Sequence, residues 1–394
     1  MDRKLKSPAA TIESRAIPQQ DPPLLALSAN SAWNLVNFRT PLLQSLQATG
    51  YRLAALVPDG DDVRPLSDLG VEVVPIAMSP RGISPLSDAR LTYAYWRALR
   101  RLSPQAFLGF TPKPNIYGSL AARAAGVPVI NNITGLGTGF LSGRMLERLV
   151  SGLYKAALHG SRRVFFHNPD DLALFVERRL VTPEQAEVIP GSGIDLDAFA
   201  PAPPRSGDGV VFLFVGRMLI DKGIVEFAEA ARQVRRQIPD TRFVVVGGWS
   251  PHPKAASAEQ IDGWKAEAIL EFHGNRDDVR SFVEASDCVV LPSYREGLPR
   301  ALLEASALAR PLIAADVPGC RHLVEEGDNG FMCTVRSADA LAEAMVRFAR
   351  LPEEERNQMG RRARTNAEER FGHDRVTDAY IRALEPLSSQ LTSV

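Results

Sequence analysis

From Leu24 onward, short apolar runs alternate with stretches in which apolar residues return every three or four positions. LLALSA (24–29), RLAALV (52–57), VEVVPI (71–76), AFLGFT (106–111), PVINNIT (128–134), VFFHN (164–168) and AEVIPG (186–191) read as strands, with room between most of them for a crossover helix. APAPPRSGDG (200–209) breaks both periods, and the strand pattern then restarts. The second set is VVFLFVG (210–216), RFVVVGG (242–248), AILEFHG (268–274), CVVLPS (288–293), PLIAAD (311–316) and GFMC (330–333), followed by helical pattern from Arg336 to about Leu387. Near-continuous apolar strands interleaved with helices predict parallel sheets covered on both faces. The expected fold is α/β, with two doubly wound parallel-sheet lobes facing a central cleft. Its expected parts are a polar leader at 1–23, a first domain at 24–199, a linker at 200–209 and a second domain at 210–394 whose last helices cross back to the first lobe. Ligands of open α/β sheets bind at the carboxyl ends of strands, so the cleft is the expected site.

Composition narrows this only a little. A chain of 394 residues with 45% hydrophobic and 23% charged residues suits two globular domains. Net charge is zero, but residues 1–200 hold 21 basic against 17 acidic residues and residues 201–394 hold 25 against 29. So mild an asymmetry gives no reason to expect nucleic acid as a partner. Cys288, Cys320 and Cys333 lack any CxxC spacing and read as buried free thiols, not as zinc ligands or a disulfide framework. The leader has no apolar core of signal-peptide type, and no run approaches the length of a membrane span. A cytoplasmic protein is expected.

Two segments carry candidate chemistry. In FVGRMLIDKG (214–223) a strand ends at Gly216, Arg217 and Lys222 follow, and a helix begins near Gly223. A helix N-terminus beside two cations favours phosphate, although two solvated cations at a turn would look the same. In PSYREGLPRALLEASALARP (292–311), Pro299 suits the first turn of a helix, with Glu296 in the loop before it and Glu304 inside it. Gly297 allows close backbone approach to a ligand. Glu304 on so apolar a helix needs a partner, which a ribose hydroxyl or a neighbouring arginine would supply. GLGTG (135–139) lacks the GxGxxG spacing and an acidic ribose ligand at the expected distance, so no dinucleotide or other cofactor is expected. No DxD run stands in these segments, and no metal is expected.

Together, G-R-x4-K-G and, some 70 residues later, E-G-L-P-x4-E resemble the retaining glycosyltransferases of family 4 with GT-B fold. FHGNRDDVRSFVEASDCVVLPS and ARPLIAADVPGCRHLVEEGDNGFM extend the resemblance, which covers Leu24 to the C-terminus and is densest from Val210 to Cys333. It implies that Arg217 and Lys222 bind the donor diphosphate and stabilise the leaving group. Glu296, with the backbone of Gly297 and Leu298, would hold the transferred sugar; Glu304 would hold the ribose. The loop of His273, Gly274 and Asn275 would lie near the base. ANSAWNLVNFRTPLLQSLQATGYRLAALVP, TPKPNIYGSLAARAAGVP and NNITGLGTGF are similar to bacterial enzymes that extend polyprenyl-diphosphate-linked oligosaccharides. Lys113, Thr134, Gly135 and Gly137 would then stand on the acceptor side. Thr134 occupies a position where many members carry a histidine, so none of the six histidines is assigned to catalysis.

The resemblance implies transfer of a hexose or N-acetylhexosamine, with retention, from a nucleotide-diphosphate sugar (UDP-linked in many relatives) to a polyprenyl-diphosphate-linked saccharide. With no DxD run, and with Arg217 and Lys222 to do the work of a divalent ion, the transfer is expected to be metal-independent. YAYWRALRRL (93–102) and SGRMLERLVSGLYKAALHGSRR (142–163) mix basic, aromatic and aliphatic residues at helical spacing. Such helices either face a core or lie on an anionic membrane, and the lipid-linked acceptor favours peripheral attachment to the inner leaflet. The rival readings are a nucleotide-sugar epimerase or hydrolase on the same scaffold, and a sugar-nucleotide-binding protein without chemistry.

Overall fold

The computed structural model describes residues 22–79, 84–136, 144–249 and 252–388. The first lobe runs β1 (Leu24–Ser28), α1 (Ala32–Ala48), β2 (Arg52–Pro58), α2 (Arg64–Asp68), β3 (Glu72–Ile76), α3 (Pro85–Leu102) and β4 (Ala106–Gly109). A π-helical turn (Pro114–Gly118) then leads into α4 (Ser119–Ala124), β5 (Val129–Ile133), α5 (Arg144–Leu158), β6 (Arg163–Phe166), α6 (Pro169–Glu177) and β7 (Ala186–Val188). Its seven strands are parallel in the order β3-β2-β1-β4-β5-β6-β7.

The second lobe begins with β8 (Val211–Val215), a 3-10 turn (Ile220–Lys222), α7 (Ile224–Gln237), β9 (Arg242–Val246), α8 (Ala258–Ala266) and β10 (Glu271–Phe272). It continues with α9 (Arg280–Glu284), β11 (Cys288–Leu291), α10 (Arg300–Ala307), β12 (Leu312–Ala315), β13 (Gly330–Cys333) and α11 (Ala338–Ala349). Its six parallel strands are ordered β10-β9-β8-β11-β12-β13. Each of the thirteen expected runs holds a strand. AILEFHG shrinks to Glu271–Phe272 because Ala268, at φ 50°, is still closing α8.

Both sheets reverse direction beside their first strand, between β1 and β4 and between β8 and β11. The crevice at such a switch point is where this architecture holds ligands. Helix starts are fixed by side chains: Ser31 accepts from Asn34 N, Asn168 from Asp171 N, and Ser257 forms a reciprocal box with Gln260.

The chain crosses between lobes earlier than expected. Ile194 already lies in the core of the second lobe, and segment 200–209 runs along that lobe, with Arg205 paired to Asp287 at 2.7 Å and Arg310 donating to the Ala202 carbonyl. The Pro- and Gly-rich composition of 200–209 therefore marks an irregular surface strap. The crossing itself lies near Pro190–Ile194, beside the return crossing that follows α12 (Glu353–Arg370), where Ile194 N donates to Phe371 O and His373 N to Ile194 O. The last helix, α13 (His373–Ser388), packs on the first lobe: Tyr380 stands 4.7 Å from the Phe165 ring and accepts from Asn132 Nδ2 at 2.8 Å. All three cysteines are free and buried, and burial pushes their thiols up.

Candidate active site

The carboxyl ends of β8 and β11 face the first lobe, and the loops leaving them are packed together. Tyr294 N donates to Asp221 O at 2.9 Å and its hydroxyl to Glu226 at 2.6 Å. That registers loop 292–299 on the turn after β8 and brings Lys222 Nζ within 2.5 Å of Glu296 Oε1. Gly223 closes the turn at φ 78°, and a Cβ there would meet the Pro292 carbonyl at 2.2 Å. Only glycine allows the two loops to approach this closely. Arg217 is exposed and makes no side-chain hydrogen bond or ion pair among the described residues.

Glu304 is not free. Arg300 Nε donates to it at 2.7 Å, one turn along α10, the arginine partner being the alternative to a ribose hydroxyl that the sequence left open. His273, Gly274 and Asn275 leave β10 next to the ends of β9 and β8: Gly247 N donates to Gly274 O, and Gly247 in turn touches Gly216. Arg217 and the 273–275 loop thus share one end of the sheet.

The lobes meet through backbone. A Cβ on Gly297 would lie 2.0 Å from the Thr134 carbonyl, and Gly135 stands against Gly297 at φ 141°. Thr134 and Gly135 are therefore in the cleft. Gly137 lies outside the described residues. Lys113 is held 3.0 Å from Asp88, which also accepts from Tyr117 at 2.9 Å. Burial raises the Asp88 carboxyl, but Lys113, Tyr117 and the Ser84 N–H more than reverse this and hold it below its ordinary value. Lys113 anchors the π-helical turn to α3.

A cavity of ≈ 330 Å³ lies between the lobes, lined by Thr134, Ser192, Lys222, Glu296, Leu298 and Arg300, with Arg39 and His167 on its first-lobe side. Several residues here were not singled out from sequence. Asn168, fully buried, donates to the Gly297 carbonyl at 2.7 Å and to Asp171 at 3.0 Å. Asp171 pairs with Arg295 of the opposite lobe; burial pushes its carboxyl above the ordinary range despite that cation. Asp170 binds His322 at 2.7 Å. Hence the α6 N-terminus clasps the Glu296–Gly297 loop from across the cleft. The readable signal was Asn-Pro-Asp-Asp after a strand, a helix-start pattern, though nothing local says what it would touch. Among the described residues no three His, Cys, Asp or Glu side chains gather as a metal site.

Residues 197–366 match the family pattern "Glycosyl transferases group 1", and residues 39–192 match "Glycosyl transferase 4-like domain". The chain is 30% identical over 336 residues to an Escherichia coli UDP-Gal:alpha-D-GlcNAc-diphosphoundecaprenol alpha-1,3-galactosyltransferase, spanning 78% of this chain and 85% of that one. It is 25% identical over 327 residues to the Campylobacter jejuni N,N'-diacetylbacillosaminyl-diphospho-undecaprenol alpha-1,3-N-acetylgalactosaminyltransferase, covering 79% and 85%. In fold it superposes on sucrose-phosphate synthase from Thermosynechococcus elongatus with TM-score 0.78 at 19% identity, over 93% of this chain and all of that one. Anabaena HepE, crystallised with UDP and glucose, gives TM-score 0.70 at 17% identity, over 95% and 100%. Two parallel-sheet lobes closing on a cleft and agreement along both lobes place this chain in the group 1 glycosyl transferase family, with the GT-B fold.

Proposed function

We propose that the chain transfers a hexose or N-acetylhexosamine, with retention, from a UDP-sugar to a polyprenyl-diphosphate-linked saccharide. The observation that carries this reading is the Lys222–Glu296 pair joining the β8 and β11 ends, with Arg217 following the same strand β8, in a chain whose relatives act on diphosphoundecaprenol-linked sugars. The bond from the sugar C1 to the donor phosphate breaks, and the acceptor hydroxyl oxygen bonds to C1 on the same face. The acceptor proton passes to the departing phosphate. Charge grows on the diphosphate as it leaves, where Arg217 and Lys222 stabilise it, so the residues need no divalent ion. Glu296 orients Lys222 and, with Gly297 N–H, the sugar hydroxyls. Thr134 and Gly135 face the acceptor.

A panel of UDP-sugars assayed against a polyprenyl-diphosphate-linked monosaccharide, with and without EDTA, tests the assignment. A glycosylated lipid formed at an unchanged rate in EDTA is expected. Free sugar released equally without acceptor would instead mark a hydrolase, and loss restored by one metal would refute metal independence.

We also propose that the first lobe rests on an anionic leaflet. No helix among the described residues is long and apolar enough to cross a membrane. The outer face of α3 exposes Leu86, Arg90, Tyr93, Arg97, Arg100 and Arg101, and its one carboxylate, Asp88, is buried. Tyr93 stacks on Trp96 at 5.7 Å. α5, on the same side of the sheet, exposes Arg148, Leu149 and Lys155. Basic residues near such a surface contribute about 1 kcal/mol each, screened by salt. Sedimentation with anionic vesicles should weaken at high salt and with Arg97, Arg100 and Arg101 changed to Glu; binding that ignores both changes would end this mapping.

A further inference from the structure

The cations at the cleft fall into two groups. Lys222 has Glu296, Arg300 has Glu304 and Arg295 has Asp171. Arg217 and Arg39 have no carboxylate among the described residues. For exposed Arg217 water supplies the deficit. Arg39 is 2% exposed, and its Nε and Nη1 meet no acceptor among the described residues.

Arg39 lies on α1 in an apolar stripe with Leu35, Leu42, Leu43 and Leu46, and its guanidinium stands 4.8 Å from the centre of the Phe110 ring. Around it, His167 Nε2 is also buried without a partner, and burial, with the Arg39 charge second, holds that imidazole well below its ordinary value. A guanidinium cannot shed its proton to escape burial, so the charge stays. Contact with an aromatic face offsets part of the loss of water but satisfies no N–H. A cation kept buried and unmatched on a ligand cleft breaks the rule that buried charges are paired, and functional sites are where folds break such rules.

We propose that Arg39 is an anion-binding residue of the cleft, taking phosphoryl oxygens of a diphosphate from the first-lobe side, across the cavity from Lys222. The inference rests on the glycosyltransferase reading, in which donor and acceptor each bring a diphosphate into one cleft. The flat guanidinium fork matches two phosphoryl oxygens. The cavity that Arg39 lines also holds Lys222, Arg300, Glu296, Thr134 and Ser192, so two further cations, one carboxylate already paired with Lys222, and neutral hydroxyls stand on the same space.

Calorimetric titration of the full chain with UDP, and of the UDP-saturated chain with inorganic pyrophosphate, tests this in the parent, Arg39→Lys and Arg39→Met. If Arg39 serves the acceptor diphosphate, pyrophosphate binds the UDP-saturated parent and weakens about tenfold or more in Arg39→Met, with UDP affinity unchanged. If it serves the donor, UDP affinity falls by that factor instead. Arg39→Lys should keep part of either affinity. Because the arginine is unmatched, Arg39→Met should melt at or above the parent temperature; a structural arginine would give a lower one. Affinities for both probes unchanged in Arg39→Met, or a lowered melting temperature with binding intact in Arg39→Lys and Arg39→Met, overturn the proposal. A parent that binds pyrophosphate through Arg39 but not UDP removes the donor assignment and leaves the anion site standing.

Discussion

Lys222 is the residue whose removal the structure makes most consequential. Its ammonium stands 2.5 Å from Glu296, with the two side chains 27% and 12% exposed. Lys222→Met removes a cation from the departing diphosphate, which costs about 10²–10³-fold in kcat, or about 2.7–4 kcal/mol. It also leaves Glu296 without its counter-charge in a partly enclosed site. Glu296→Gln alone turns an ion pair into a bond between the charged ammonium and a neutral amide oxygen, itself worth about 1.5–3 kcal/mol, and leaves the Lys222 charge without its counter-ion. The double variant has no stranded charge, so its loss should be smaller than the two single losses combined, with a coupling energy of about 0.5–3 kcal/mol. Initial rates of UDP release at varied donor concentration, fitted for kcat and KM in all four proteins, give the cycle. Lys222→Met within about threefold of the parent kcat/KM would refute the leaving-group role, and a strictly additive cycle would refute the claim that the pair works as a unit.

Arg217→Ala should lower kcat/KM by a similar ~10²–10³-fold while denaturant unfolding is unchanged, because the side chain has no partner to lose among the described residues; an unchanged kcat/KM would move the diphosphate elsewhere. Asp171→Ala strips an acceptor from Arg295 across the cleft and from Asn168 beside it, and should destabilise the protein by about 1–3 kcal/mol in urea unfolding. It should also raise KM for the donor, since the Gly297 loop loses its clasp; unchanged stability and KM would show that the lobes do not depend on it. His167 has a folded-state pKa depressed below its ordinary 6.5, by burial first and Arg39 second. The sign follows directly: its contribution is complete above 6.5 and is lost as pH falls below it. His167→Gln should therefore flatten the melting temperature between pH 7 and 5 relative to the parent, and an identical slope would contradict the assignment.

Much of the architecture is written in the local pattern. Thirteen apolar runs and their intervening helices follow from which residues are neighbours, because a strand or an amphipathic helix needs only its own periodicity. The two site segments are legible for the same reason: Gly216–Gly223 and Glu296–Glu304 are each a strand end, a turn and a helix start. What the pattern could not decide is which distant groups meet. The Lys222–Glu296 bond joins positions 74 residues apart, and the Asn168–Gly297 bond joins positions 129 apart. Neither has a local signature. Arg39 was visible as a charge within the Leu35, Leu42, Leu43 and Leu46 stripe, but a stripe does not reveal whether a carboxylate lies opposite. The lobe crossing near Pro190–Ile194 was hidden because proline and glycine mark irregular backbone wherever it runs, and the richest such stretch, 200–209, lies on a surface. The sequence thus determined the elements and the residue types available to the cleft. Tertiary packing alone decided which charges are matched there and which wait for a ligand, because that depends on atoms brought together only when both lobes close.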